Sequence, residues 1–186
     1  MSTLTETMIR RFCEHCDWSY QSWVFRSSLF DDNPDANHLK TPKHADFFNR
    51  LEKILQEYWI HEVVKLNDPP EQFGFKNLTI RFVLENGSWP DDKKKNLSNL
   101  SIILVGFSSK LRSARNKILS HKDLETLLSG ETHGDFRVGD DGAYFKALQE
   151  FVNIVHDQYI GGPYPFDDLT KNDVEVFMAA FVAGAV

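Results

Sequence analysis

Apolar residues recur every three or four positions along most of this chain, the spacing of helices that bury one face. The clearest run is Leu97, Leu100, Leu104, Phe107, Leu111, Ala114 and Ile118, which predicts a long helix from about Asp92 to Leu119. Its regularity is that of a bundle seam. Upstream, aromatics at Phe12, Trp18, Trp23, Phe25 and Phe30 fall within a first helix predicted over Thr3–Phe30. Asp31-Asp32-Asn33-Pro34-Asp35 reads as a turn. Thr41-Pro42 then opens a second helix, with proline at a tolerated first-turn position, and Asp68-Pro69-Pro70 ends it. A short helix begins near Asn77–Ile80 and stops at Asn86-Gly87, and Trp89-Pro90 makes the next bend. Asp123–Gly130 holds another helical turn or two. Asp140–Ile160 is helical through Phe145, Leu148, Phe151, Val152 and Val155, and Gly161-Gly162-Pro163 breaks it. Thr170–Ala185 forms the last helix, with Thr170 and Asp173 as a capping pair. No alternation of period two is evident, so the pattern predicts an all-α helical bundle of about five to seven helices.

At 186 residues, with no repeat and no linker-like stretch, the chain is expected to form a single helical domain over 1–186. Apolar residues at 41% and charged residues at 26% exclude a disordered tail or low-complexity chain. No run of apolar residues is long enough to span a bilayer, so no membrane association is expected. Met1–Arg11 lacks the apolar core of a secretory signal, which predicts a cytoplasmic protein with reduced cysteines. A net charge of −6 argues against a bulk nucleic-acid coater. One stretch reverses that sign: Lys110–Lys122 carries Lys110, Arg112, Arg115, Lys117 and Lys122 and no acidic residue.

Two metal-like motifs fail on inspection. Cys13-Glu14-His15-Cys16 is a single C-x-x-C with no second ligand pair at zinc spacing, although His38 and His44 are loosely available. Two small buried residues on one helix face is the better reading, and no metal or other cofactor is expected. His61-Glu62-Val63-Val64-Lys65 lacks the second histidine of a zinc-protease helix and reads as an ordinary amphipathic stretch. The apolar tail Val174, Phe177, Met178, Phe181 and Val182 fits two readings equally, a packed terminal helix or a subunit interface.

The chemistry concentrates in Arg115-Asn116-Lys117-Ile118-Leu119-Ser120-His121-Lys122-Asp123. Arginine holds phosphate through a planar, permanently charged fork. Histidine exchanges protons near neutral pH, and asparagine can orient either group or contact a ligand. These types suit metal-free cleavage of RNA, whose 2′-OH is an internal nucleophile. On an ideal helix, residues six apart lie about 120° apart around the axis and about 9 Å apart along it. Arg115 and His121 would therefore border the Ile118 stripe on opposite shoulders, and convergence would need a helix end, the reach of Arg115 or a second subunit. The plain alternative is an exposed basic helix end favoured by the helix dipole.

An all-α chain with Arg115-Asn116, five intervening residues and then His121 resembles the HEPN superfamily and its R-x(4-6)-H pattern. Ser120-His121-Lys122-Asp123 is especially similar to the branch associated with bacterial abortive infection. The segment Tyr58-Trp59…Leu66-Asn67-Asp68-Pro69-Pro70…Asn77-Leu78-Thr79-Ile80 is similar to that branch too. The resemblance covers roughly residues 40–125, and departs at Ser120, where alanine is commoner. It implies a homodimer and metal-independent RNA cleavage, with Arg115 and His121 meeting across the dimer cleft. Catalytic roles then fall to Arg115, Asn116 and His121, RNA attraction to Arg112, Lys117 and Lys122, and restraint to an antitoxin-like partner. The alternative it implies is a non-catalytic dimeric binding or scaffold module.

Overall fold

Helix-forming sequence and short turns dominate the computed structural model, which describes residues 4–114, 137 and 139–184. Seven α-helices are present among the described residues: α1 (Glu6–Arg26), α2 (Ala36–Leu39), α3 (Ala45–Leu66), α4 (Ile80–Asn86), α5 (Asp91–Ala114), α6 (Asp140–Tyr159) and α7 (Leu169–Gly184). A two-residue strand pair, β1 (Glu71–Gln72) and β2 (Phe75–Lys76), lies between α3 and α4. None of these helices is long and apolar enough to cross a membrane.

Internal contacts divide the chain into two compact units: residues up to Cys16 with Ile60–Pro165, and Asp17–Trp59 with residues from Phe166 onward. In the first unit α5 packs along α6. Ion pairs fix an antiparallel register at both ends, Lys93 to Asp157 at 2.8 Å and Lys110 to Asp140 at 2.9 Å. Leu97, Leu104, Phe107 and Leu111 of the seam are buried, opposite Tyr144, Leu148, Phe151 and Val155 of α6. Phe107 tilts against Tyr144 at 5.1 Å, and Phe12 of α1 meets Phe151 edge-on at 6.1 Å. Cys13 and Cys16 are both buried, as their small size and common face predicted. Burial pushes the Cys13 thiol up to about 12.

Thr79 caps α4 by accepting the Phe82 N–H on its side-chain oxygen at 3.3 Å. Between α4 and α5 the Trp89 indole folds back over Gly87 and donates to the Leu84 carbonyl at 3.0 Å. A Cβ at Gly87 would collide with that indole ring, so glycine is required there by close approach.

In the second unit Leu29, Phe30, Leu39, Phe48, Val174 and Met178 form the core. Phe181 and Val182 pack against it. The tail is thus largely a packed terminal helix, although Phe177 is exposed. Four sequence expectations shift in detail. The first helix ends at Arg26 and widens into a π-helical turn over Ser27–Asp31, closed by Asp32 N–H on the Ser27 carbonyl at 2.8 Å. Thr41-Pro42 precedes rather than opens α3, because 42–44 form turns and α2 stands before them. Thr170 lies inside α7, whose first N–H groups meet Asp167: its carboxylate accepts from Leu169 at 2.7 Å. The hairpin at 71–76 was not anticipated, since two residues per strand leave no alternation to read.

Candidate functional site

Of the residues singled out for RNA chemistry, Arg115, Asn116, Lys117, His121 and Lys122 lie outside the described residues. Arg112 and Lys110, one turn earlier on α5, are described, and both are committed. Arg112 donates to the Asp68 carboxylate at 3.1 Å and to the Asn67 carbonyl at 3.0 Å. Lys110 donates to Asp140 at 2.9 Å. The same Asp140 oxygen accepts the Arg137 N–H at 3.0 Å, and these contacts hold the Asp140 carboxyl below the usual aspartate value. The last turns of α5 are therefore fastened to the end of α3 by Arg112 and to the start of α6 by Lys110. That fixes the point from which residues 115–121 continue in sequence. Arg112 keeps 37% of its side chain exposed and can still turn donors outward.

Asn67 adds a further tie, donating from its side chain to Val63 O at 2.9 Å and to the buried Tyr144 hydroxyl at 3.2 Å. Burial pushes the Tyr144 phenol up, so it stays protonated. The segment Leu66-Asn67-Asp68 thus acts as an anchor for both α5 and α6.

A second polar cluster escaped the sequence reading. Glu62, taken there as an ordinary helix position, is only 4% exposed. Its carboxylate meets His15 Nε2 at 2.9 Å and accepts from Lys65 Nζ at 3.1 Å. Burial alone would raise the Glu62 carboxyl, but hydrogen bonds from His15 and Lys65 outweigh it and hold it low. The Glu62–Lys65 spacing was readable as a helical pair. His15 was not, because it stands forty-seven positions away in sequence. Among the described residues, no three His, Cys, Asp or Glu side chains gather in a way that could hold a metal ion.

Glu62 makes stability depend on pH. A carboxyl whose pKa falls on folding stabilises above its unfolded value, about 4.3, and loses that contribution as pH drops through the folded value. Thermal midpoints of the native chain and Glu62→Gln should differ most at neutral pH and converge as pH falls below about 4. A constant difference across that range would remove the ionised carboxylate from the explanation.

The AbiU2 family of HEPN domains matches residues 2–179. The chain belongs to that family. AbiU2-type HEPN proteins are abortive-infection proteins, so membership associates the chain with phage defence. The match extends well beyond the stretch whose motifs suggested it, taking in α1 and the first two thirds of α7. Neither curated proteins nor solved structures gave a match. In this AbiU2-family chain the anchored end of α5 immediately precedes the R-x5-H segment in sequence.

Proposed function

We propose that this chain is a metal-independent endoribonuclease acting as a toxin-like effector of abortive infection. The observation that carries the proposal is Arg115-x5-His121 in a chain of the AbiU2 HEPN family. Arg115 holds the scissile phosphate and offsets charge building on its oxygens. His121 takes the proton from the ribose 2′-OH as that oxygen bonds to phosphorus. The bond from phosphorus to the 5′ oxygen breaks, and that oxygen leaves with a proton. The products are a 2′,3′-cyclic phosphate and a 5′-hydroxyl, with no net proton change. Asn116 orients these groups, while Lys117, Lys122 and the outward face of Arg112 attract the RNA backbone. The purified chain should cut RNA in excess EDTA and leave DNA intact, since DNA lacks the 2′-OH. Binding of RNA without cleavage would return the scaffold reading. Such an activity needs restraint between infections, which an antitoxin partner would supply.

Arg115 and His121 come from opposite shoulders of one helix in sequence terms, so the proposal includes a homodimer that lets them meet. The surface supporting it is on α5. Ile102, Ile103 and Val105 are exposed, and no charged side chain occurs between Lys95 and Lys110. Close to a two-fold axis residues meet their own copies, where like charges would repel, so an uncharged centre suits self-pairing. Gly106 sits mid-helix with open space where its Cβ would be. Glycine there costs helix stability and meets no close neighbour among the described residues, whereas close approach of a second helix gives it a use. Ile102→Glu should convert a dimer to a monomer in light scattering, with unchanged helical content. A native chain that stays monomeric at high concentration would sink the shared cleft.

A further inference from the structure

The hairpin between α3 and α4 carries a feature that nothing among the described residues explains. Its two-residue turn is Phe73-Gly74, with φ of 52° and 82°. Hairpin turns with two positive φ values favour asparagine or aspartate and then glycine. A phenylalanine in the first position is strained, and its ring gains no packing in return: Phe73 is 89% exposed. Phe75, two positions on, is 75% exposed. Gly74 between them has open space around its Cα. The support beneath is firm. Asn77 returns its N–H to the Pro70 carbonyl at 2.8 Å and its side-chain amide to the Pro69 carbonyl at 2.9 Å. Glu71 pairs with Lys76 and Gln72 with Phe75 across the ladder.

The hairpin is tethered by its first strand to the stretch that holds the end of α5. Asp68, which grips Arg112 at 3.1 Å, is five residues before Phe73, a reach of at most about 17 Å. Two phenyl rings, two residues apart on a tethered tip, are exposed together with Lys76, whose cross-strand partner is Glu71.

We propose that Phe73 and Phe75 are a stacking platform for unpaired bases, and hence that the ligand of this end of the molecule is single-stranded RNA. The inference rests on the RNA reading given above. Area decides against a protein ligand at this tip. Two phenylalanine side chains offer roughly 300–500 Å² between them. A stable protein contact needs about 800 Å² from each partner. Base stacking needs only one ring face per base, and is indifferent to base identity because every base has a π-face. Lys76, exposed one position beyond Phe75, is the cation available to a backbone phosphate beside the rings.

The test uses the full chain and a labelled, short 2′-O-methyl oligouridine, which cannot be cut through its 2′ position, beside an abasic strand of equal length. Phe73→Gly/Phe75→Thr removes both rings while keeping the turn and the strand formable. Fluorescence anisotropy should show the native chain preferring the oligouridine to the abasic strand. The double variant should lose about 10-fold or more on the oligouridine and nothing on the abasic strand, with the same salt slope. Phe75→Trp alone should bind the oligouridine at least as well as the native chain. Equal binding by native and double variant overturns the platform, as does an equal loss on both strands. A double variant that changes oligomeric mass while binding RNA normally overturns it too, by assigning the rings to a protein contact. Cleavage of unmodified RNA is read separately. Ring-dependent binding without cleavage leaves the platform standing and removes the nuclease; cleavage and binding indifferent to the rings do the reverse.

Discussion

His121→Ala is expected to lower RNA cleavage by about 10²–10⁴-fold, the usual worth of a positioned general acid or base. Arg115→Ala should cost about 10²–10³-fold, as loss of a charged donor aimed at transition-state oxygens does. The two should differ in binding. Arg115 carries permanent charge, so its loss should weaken RNA affinity and reduce the salt slope by about 1. His121→Ala should alter affinity less, and Lys122→Ala should weaken binding chiefly at moderate salt with catalysis nearly intact. Cleavage assays with a defined RNA, run with EDTA and beside anisotropy titrations, separate these effects. Matched circular dichroism removes misfolding as an explanation. Unchanged cleavage by His121→Ala, or cleavage that stops when metal is chelated, would move the chemistry away from Arg115 and His121.

Phe151→Ala should be the most damaging substitution to the fold. Phe151 is fully buried on α6 and meets Phe12 edge-on at 6.1 Å. Truncating a buried phenylalanine costs about 3–5 kcal/mol, part lost transfer energy and part cavity. Domains are stable by only about 5–15 kcal/mol, so a large share would go at once. In a chain of this length the thermal midpoint should fall by about 10 °C. Phe177→Ala is the comparison: that ring is 45% exposed on α7 and stacks on Phe181 at 5.9 Å, so its loss should cost about 1 kcal/mol, well below that of Phe151→Ala. Similar midpoints for the two variants would contradict the burial pattern that defines the first unit.

The long helices were legible because each buries one stripe, and a stripe is written at fixed spacing. α5 and α6 show this best: Leu97, Leu104, Phe107 and Leu111 are buried where periodicity put them and Leu100 partly so, while Ile118 lies outside the described residues. The ends were less legible. Leu29 and Phe30 keep the apolar rhythm of α1, so the rhythm alone does not reveal the π-helical turn that carries them into the core. Both roles of α7 could be read from one pattern, because packing against the chain itself and against a second copy ask for the same apolar face. Val174 and Met178 turned out to serve the chain's own core. Glu62 was misjudged for a different reason. Its neighbours in sequence describe a solvated helix face, while its burial depends on α1, which periodicity within α3 does not register. The R-x5-H segment lies outside the described residues, and what the structure adds is nearby: Arg112 and Lys110, part of the same basic stretch in sequence, fasten the end of α5.

The two buried cysteines give the first unit an internal clock. Thiolate is the form that reacts with alkylating reagents, and a Cys13 pKa near 12 leaves about one thiol in ten thousand ionised at pH 8. Burial of both sulfurs also keeps reagent out of the folded state. Alkylation of the native chain must then wait for the α1 stretch to come away from Phe151 and its neighbours. Its rate, followed by mass, measures how often that happens without any denaturant. The same property makes these thiols inert during an infection for as long as the unit stays closed, and marks any chain in which it has opened.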